Sequence, residues 1–368
     1  MGNGKVDALK KIAMVALFVA GLVFLLSGGD EDNQRRAEAG HAKTVAKKES
    51  VQPQPLYGVA PDGTFDIKEE VYGDPDIFDS PRIQFLHTNP ETYKHDTIWS
   101  VKTDGTDLRR VLSKEQIFTD MNASIMDTPR RSPDNRFICV TIDDRPNGFH
   151  KVVFDLKTGQ RDVIVRHGKS KGFSWMNDSK TVVFFGGGGF SKTSGRLYEY
   201  YKYDIIDKTI TPYDRSKNIY FGVLGFLIHH ENNMIFARGY ERSIPLKEGG
   251  LRGAENLVKT YGVCIFNPDW SKHRMLVTDG GDCFDVSPDG QRIIRGNYTD
   301  YFSVYSTKNG KIISQFASGR YVPIFSEDSV HIYVPSYEGF EKRRISDGKV
   351  VFDVKLPIEP EKITLINI

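Results

Sequence analysis

The sequence predicts an all-β fold, a six-bladed β-propeller, preceded by one N-terminal transmembrane helix and a flexible linker. Three observations carry that reading. From about residue 76 onward, short alternating apolar runs are separated by Gly, Asp, Asn and Pro turns, with no long stretch of helical spacing. A turn of Ser-Pro-Asp type followed by an apolar strand recurs about every forty residues, the spacing of a four-stranded propeller blade. An unbroken apolar run lies at the start of the chain, flanked by charge of opposite sign on its two sides. Composition agrees with a folded body. The 368 residues are 39% hydrophobic and 12% aromatic, which excludes a disordered chain, a collagen and a small disulfide-stapled domain. The net charge is only +2, so there is no global electrostatic case for a nucleic-acid partner.

The first element is the leader. Residues 1–11 form a cytoplasmic N-terminus carrying Lys5, Lys10 and Lys11. Residues 12–29 follow, with Ile12, Leu17, Phe18, Leu22, Phe24 and Leu26 as the core of the anchor and Ser27-Gly28-Gly29 at its end. Eighteen residues rise roughly 27 Å as a helix, against a hydrocarbon core of about 30 Å. Asp30, Glu31 and Asp32 come next, so the positive-inside rule holds the N-terminus in the cytoplasm and exports the rest. The expectation is a single-pass protein of the bacterial inner membrane with its body in the periplasm. Ser27-Gly28-Gly29 also offers small residues to a signal peptidase, so cleavage of the leader stays open.

Residues 30–75 read as a linker. Charge, Ala and Pro dominate, and apolar periodicity is missing until Phe65. Such a segment buries too little surface to offset the entropy of ordering it.

The propeller is expected over residues 76–368. Ser132-Pro133-Asp134 leads into Phe137–Val140, and Ser287-Pro288-Asp289 leads into Arg292–Ile294. Looser copies are Asn177-Asp178-Ser179 before Thr181–Phe185, Glu231-Asn232-Asn233 before Met234–Ala237, and Ser326-Glu327-Asp328 before Val330–Val334. Each copy is followed by a strand, a tight turn and a further strand, as in Val153–Gly159 and Val304–Gly310. Thr-Gly, Asn-Gly and Asp-Gly pairs suit turns that need positive φ. The first unit lacks the Ser-Pro-Asp turn but has Arg82–Leu86, Thr97–Val101 and Lys102–Val111, which makes six units. The spacing from Asp134 to Asp178 is 44 and from Asp289 to Asp328 is 39. The wider interval between Asp178 and Asp289 calls for insertions at 186–196 and 241–257, and the closing strand falls at Ile363–Ile366.

The segments DTIWSVKTDGTDLRRVL … RRSPDNRFICVTI and DVSPDGQRIIRGN … FSVYSTKNG resemble the WD-like propeller repeat of the TolB family. The match covers roughly four fifths of the chain. It is good in units one, two and five and looser elsewhere. The family's N-terminal α/β domain has no counterpart in the 45 or so residues of linker, so the Tol–Pal role does not carry over. The resemblance implies a propeller that engages another macromolecule at one face, and it is specific for fold rather than activity.

A search for chemistry yields little. No attached peptidase or esterase domain is expected. Gly186-Gly187-Gly188-Gly189-Phe190-Ser191-Lys192 lacks the Gly before Lys and the following helix that a phosphate loop requires. Cys139, Cys264 and Cys283 have no C-x-x-C spacing. An exported chain could form one disulfide, for example Cys264–Cys283, but the odd count argues against a framework, and Cys139 and Cys264 read as buried small hydrophobes in strands. His229 and His230, read as strand residues, point to opposite faces. Tyr201 and Tyr203 are expected on one face of a strand with Tyr198 and Tyr200 on the other, both faces packed between blades.

No catalytic set and no cofactor is predicted. A divalent metal in the central channel is the alternative, held by residues such as Asp282, Asp285 and Asn297 and giving a lactonase- or lyase-like enzyme. The candidate partner contacts are Gly186, Gly187, Gly188, Gly189 and Phe190 in one insertion. Glu241, Arg242, Leu246, Leu251 and Arg252 in the other complete the set. The functional expectation is a membrane-anchored scaffold or interaction subunit that binds other envelope or membrane proteins and no nucleic acid.

Overall fold

The computed structural model describes residues 68–69, 80–89, 91–118, 123–144, 148–168, 172–185, 200–214, 221–242, 258–271, 274–278, 283–296, 301–317, 322–358 and 360–366. Within them lie six sheets built of antiparallel strands, one of which also takes a short parallel edge strand; these are the blades of a propeller.

Blade I opens with β1 (Lys68–Glu69), β2 (Arg82–Asn89), β3 (Lys94–Lys102) and β4 (Arg109–Leu112). A one-turn helix, α1 (Lys114–Ile117), leads into blade II, capped by reciprocal bonds between Ser113 and Gln116. Blade II comprises β5 (Ser124–Ile125), β6 (Arg130–Arg131), β7 (Phe137–Asp144), β8 (Gly148–Asp155) and β9 (Arg161–Gly168), with β5 and β6 both on the inner edge of β7. Blade III is β10 (Phe173–Trp175), β11 (Thr181–Phe185), β12 (Tyr200–Asp204) and β13 (Thr209–Tyr213). Blade IV is β14 (Phe221–Ile228), β15 (Ile235–Arg242), β16 (Val258–Phe266) and β17 (Arg274–Val277). Blade V is β18 (Cys283–Val286), β19 (Arg292–Gly296), β20 (Tyr301–Ser306) and β21 (Ile312–Ala317). Blade VI is β22 (Ile324–Phe325), β23 (His331–Ser336), β24 (Gly339–Arg344) and β25 (Val350–Lys355).

The last strand, β26 (Glu361–Ile366), returns to blade I. It pairs with β2 in the register Arg82↔Ile366, Ile83↔Leu365 and Gln84↔Thr364. The closing strand therefore lies where the sequence places it, and the blade order is β26-β2-β3-β4. On the outer edge of that blade β1 adds a parallel pair, Lys68↔Arg109 and Glu69↔Arg110, so part of the segment read as linker is ordered against the propeller.

Alternation explains how the blades stick together. Neighbouring side chains of a strand point to opposite faces. On β7, Phe137 and Cys139 pack toward blade III, whereas Ile138, Val140 and Ile142 pack toward blade I. On β11, Val182 and Phe184 face blade II while Val183 faces blade IV. The same rule disposes of the tyrosines: Tyr201 and Tyr203 are buried against blade II, and Tyr200 against Phe226 and Trp270 of blade IV. Each interface between neighbours holds one such apolar cluster, and burying each large side chain contributes roughly 1.5–3 kcal/mol.

The recurring turn has a chemical cause. Ser132 Oγ donates to Asp134 Oδ1 at 2.5 Å and accepts from Phe137 N at 2.9 Å, while Asp134 Oδ1 accepts from Arg136 N. Ser287, Asp289, Arg292 and Gln291 repeat the set in blade V. The residue after the Asp adopts positive φ, 61° at Asn135 and 66° at Gly290, which Asn and Gly tolerate at little cost. Cys139 and Cys264 are free, buried thiols, so Cys264 is not bridged to Cys283. Burial raises both thiols, Cys264 to about 12.

Candidate functional site: the axial channel

The innermost strands of the six blades converge on the propeller axis. Each supplies wall residues to one cavity of about 150 Å³: Arg130 and Arg131 from β6, Ser174 and Trp175 from β10, Leu227 and Ile228 from β14. Asp285 and Val286 of β18, Ile324 and Phe325 of β22, and Thr364 and Ile366 of β26 complete the circle. Turn residues following the inner strands, including Asn135, His229, His230 and Pro288, line it as well.

The inner strands of neighbouring blades do not pair with one another, and side-chain hydrogen bonds join the blades beside them. Gln84 Nε2 donates to Pro129 O at 3.0 Å and Gln84 Oε1 accepts from Arg131 Nε at 3.0 Å, joining blades I and II. Trp175 Nε1 donates to Arg130 O at 2.9 Å between blades II and III. Ser174 Oγ accepts from Ile228 N at 2.9 Å between III and IV. His229 Nε2 lies 2.9 Å from Pro288 O between IV and V, and Asp285 Oδ2 accepts from Phe325 N at 2.9 Å between V and VI. A buried polar group without a partner costs about 1–3 kcal/mol, a penalty these bonds avoid at the wall.

The charges at this wall are arranged unevenly. Arg131 is spent on Gln84 and on the Asn135 carbonyl. The Arg130 guanidinium makes no hydrogen bond or direct ion pair with any described residue, yet it sits in the fields of Asp285 and Asp127. Burial pulls its pKa down, the two carboxylates oppose that pull, and a guanidinium stays charged throughout. Burial pushes the Asp285 carboxyl up, against the backbone N–H groups of Phe325 and Val286 and the Arg130 charge, which favour the carboxylate.

His229 and His230 correct a sequence expectation. They follow β14 in a turn, so strand alternation does not apply, and their rings lie 5.2 Å apart at the same end of the channel. A carbonyl can only accept, so His229 Nε2 donates to Pro288 O and Nδ1 is the ring's remaining nitrogen. That atom is buried and has no partner among the described residues. Burial first, and His229 second, lower the pKa of His230.

Of the residues singled out from sequence for a channel metal, Asp285 does line the channel, while Asp282 and Asn297 lie outside the described residues. Among the described residues no group of three or more His, Cys, Asp or Glu side chains could hold a metal ion. The contacts Gly186, Gly187, Gly188, Gly189, Phe190, Leu246, Leu251 and Arg252 also lie outside the described residues. Glu241 and Arg242 are the last residues of β15, paired with Thr260 and Val258, so the strand runs two residues into the expected insertion. The anchor residues 12–29 fall outside the described part too. Among the described residues no helix is long and apolar enough to cross a membrane. Sequence reasoning passed over Arg130, Arg131, Ser174 and Trp175, because each sits on a strand of two or three residues with no local signature.

No protein-family model and no curated protein matches the chain. Among solved structures it is similar to TolB from Acinetobacter baumannii, with a TM-score of 0.54 and 17% identity over 78% of this chain and 67% of that one. It is also similar to an oligogalacturonate lyase in complex with manganese, with a TM-score of 0.40 and 14% identity over 66% of this chain and 71% of that one. The fold is a TolB-like six-bladed β-propeller.

Proposed function

We propose that this propeller is an interaction module held at the bacterial inner membrane by residues 12–29, with its body in the periplasm, where it binds other envelope proteins through extended segments. The supporting observation is at the outer edges. Blade I already takes an added strand there, since β1 pairs with β4. Blades V and VI end in β21 and β25, each paired on one side only among the described residues. These strands expose Ile312 (55%), Ile313 (45%) and Val351 (42%). An unpaired strand edge with apolar side chains is a template for strand addition by another chain. The apolar leader with lysines before it and acidic residues after it supports the address.

Photo-crosslinkers placed at Ile312, Ile313 and Val351 of the full-length chain in membranes test the reading. A discrete adduct with one or a few envelope proteins, lost in Ile312→Lys, supports it. No adduct, or fractionation of the full chain away from membranes, overturns it.

A further inference from the structure

We propose that the axial cavity binds a small zwitterion of the α-amino-acid class, its carboxylate on Arg130 and its ammonium on Asp285. Both side chains line the same cavity on strands from opposite parts of the ring, β6 of blade II and β18 of blade V. They are close enough to perturb each other, yet they form no direct ion pair. Arg130 brings donors that no described residue takes up, and a planar guanidinium matches a carboxylate bidentately. Asp285 uses Oδ2 to accept from Phe325 N, and a carboxylate offers about four acceptor sites in all.

The ligand class follows from charge and size. An anion alone would meet Arg130 but be repelled by Asp285, and a cation alone would suffer the converse. A zwitterion satisfies both and brings no net charge into a space where uncompensated charge is expensive. Arg131 does not compete, because Gln84 and the Asn135 carbonyl hold it. Asp127 also acts on Arg130, but it is not part of the cavity wall. A volume of about 150 Å³ admits a small amino acid such as glycine, alanine or serine. Trp175, Ile324 and Phe325 give a small side chain an apolar wall.

Calorimetric titration of the full chain in detergent tests this, with glycine, L-alanine and L-serine as ligands and acetate and methylammonium as controls. The expected result is saturable one-to-one binding of the small amino acids, at least about tenfold tighter than either half-ligand. Arg130→Met and Asp285→Asn should each weaken binding at least about tenfold without shifting the melting temperature of the ligand-free protein by more than a few degrees. Should a variant not fold, the ligand series on the unaltered protein decides alone. No saturable binding up to about 10 mM, or acetate binding as tightly as glycine, overturns the proposal.

Discussion

The backbone N–H of Asp134 donates to Ser179 Oγ at 3.0 Å across the junction of blades II and III. Asp289 and Ser329 repeat the bond at 3.1 Å between blades V and VI. Between III and IV, Asn177 and Asn233 exchange two amide bonds of 3.0 and 2.8 Å. The repeated turn thus has a second role: at these three junctions it joins one blade to the next. Ser179→Ala should cost about 1 kcal/mol in urea unfolding, the net worth of one hydrogen bond. Ser179 has φ 58°, so Ser179→Gly should recover part of that loss by relieving the left-handed backbone.

Arg82 is wholly enclosed and donates to Asp107 Oδ2 at 2.8 Å, to the Asp107 carbonyl at 2.6 Å and to Ser100 Oγ at 3.2 Å. Burial alone would raise the Asp107 carboxyl, but Arg109 and Arg82 outweigh it and hold it below the ordinary 3.8. Asp107→Asn keeps the shape and the positive φ but leaves the Arg82 charge unbalanced, and should cost about 3 kcal/mol at pH 7. The carboxylate's contribution is complete above pH 3.8 and disappears as pH falls through its lower folded value. The gap between the two proteins in denaturant midpoint should therefore close in that acid range.

Gly262 faces the neighbouring strand so closely that a Cβ there would lie 1.7 Å from the Val277 carbonyl oxygen. Gly262→Ala must push β17 away from β16, and the expected loss is about 3 kcal/mol, read as a lowered urea midpoint with unchanged slope.

Lys151 is buried on β8 (1% exposed), and burial lowers its amine to about 8 despite the opposing field of Asp127. Between pH 8 and the ordinary 10.5 the unfolded chain holds the extra proton, so this group makes stability rise with pH across that window. Below pH 8 the penalty is complete, on the order of 3 kcal/mol. Lys151→Met should flatten the rise between pH 8 and 10 in chemical denaturation curves.

What could be read from the residues is what is local. Ser132-Pro133-Asp134 and Ser287-Pro288-Asp289 carry their turn within five or six residues, and their spacing gives the blade period. The tyrosines of β12 follow from period-two alternation in a sheet covered on both sides. The channel is different. Its wall takes one or two residues from each of six strands spread along the chain, and Arg130 and Asp285 meet only because the ring brings β6 and β18 to one axis. His229 and His230 were misjudged because the end of β14 lies one residue before them. The parallel pairing of β1 on β4 left no trace in apolar periodicity, since two charged residues, Lys68 and Glu69, make it through backbone bonds.

Because β26 completes the sheet begun by β2, the earliest-made blade waits for the latest-made strand. During synthesis, Ile83 and Phe85 emerge long before their inner cover, so the growing chain passes through an open horseshoe with a greasy seam. Such long-range closure is slow compared with hairpin formation and is the step most exposed to aggregation. A premature stop codon a few positions ahead of residue 361 would therefore yield a chain that cannot shut, and quality control would meet it as a misfolded protein.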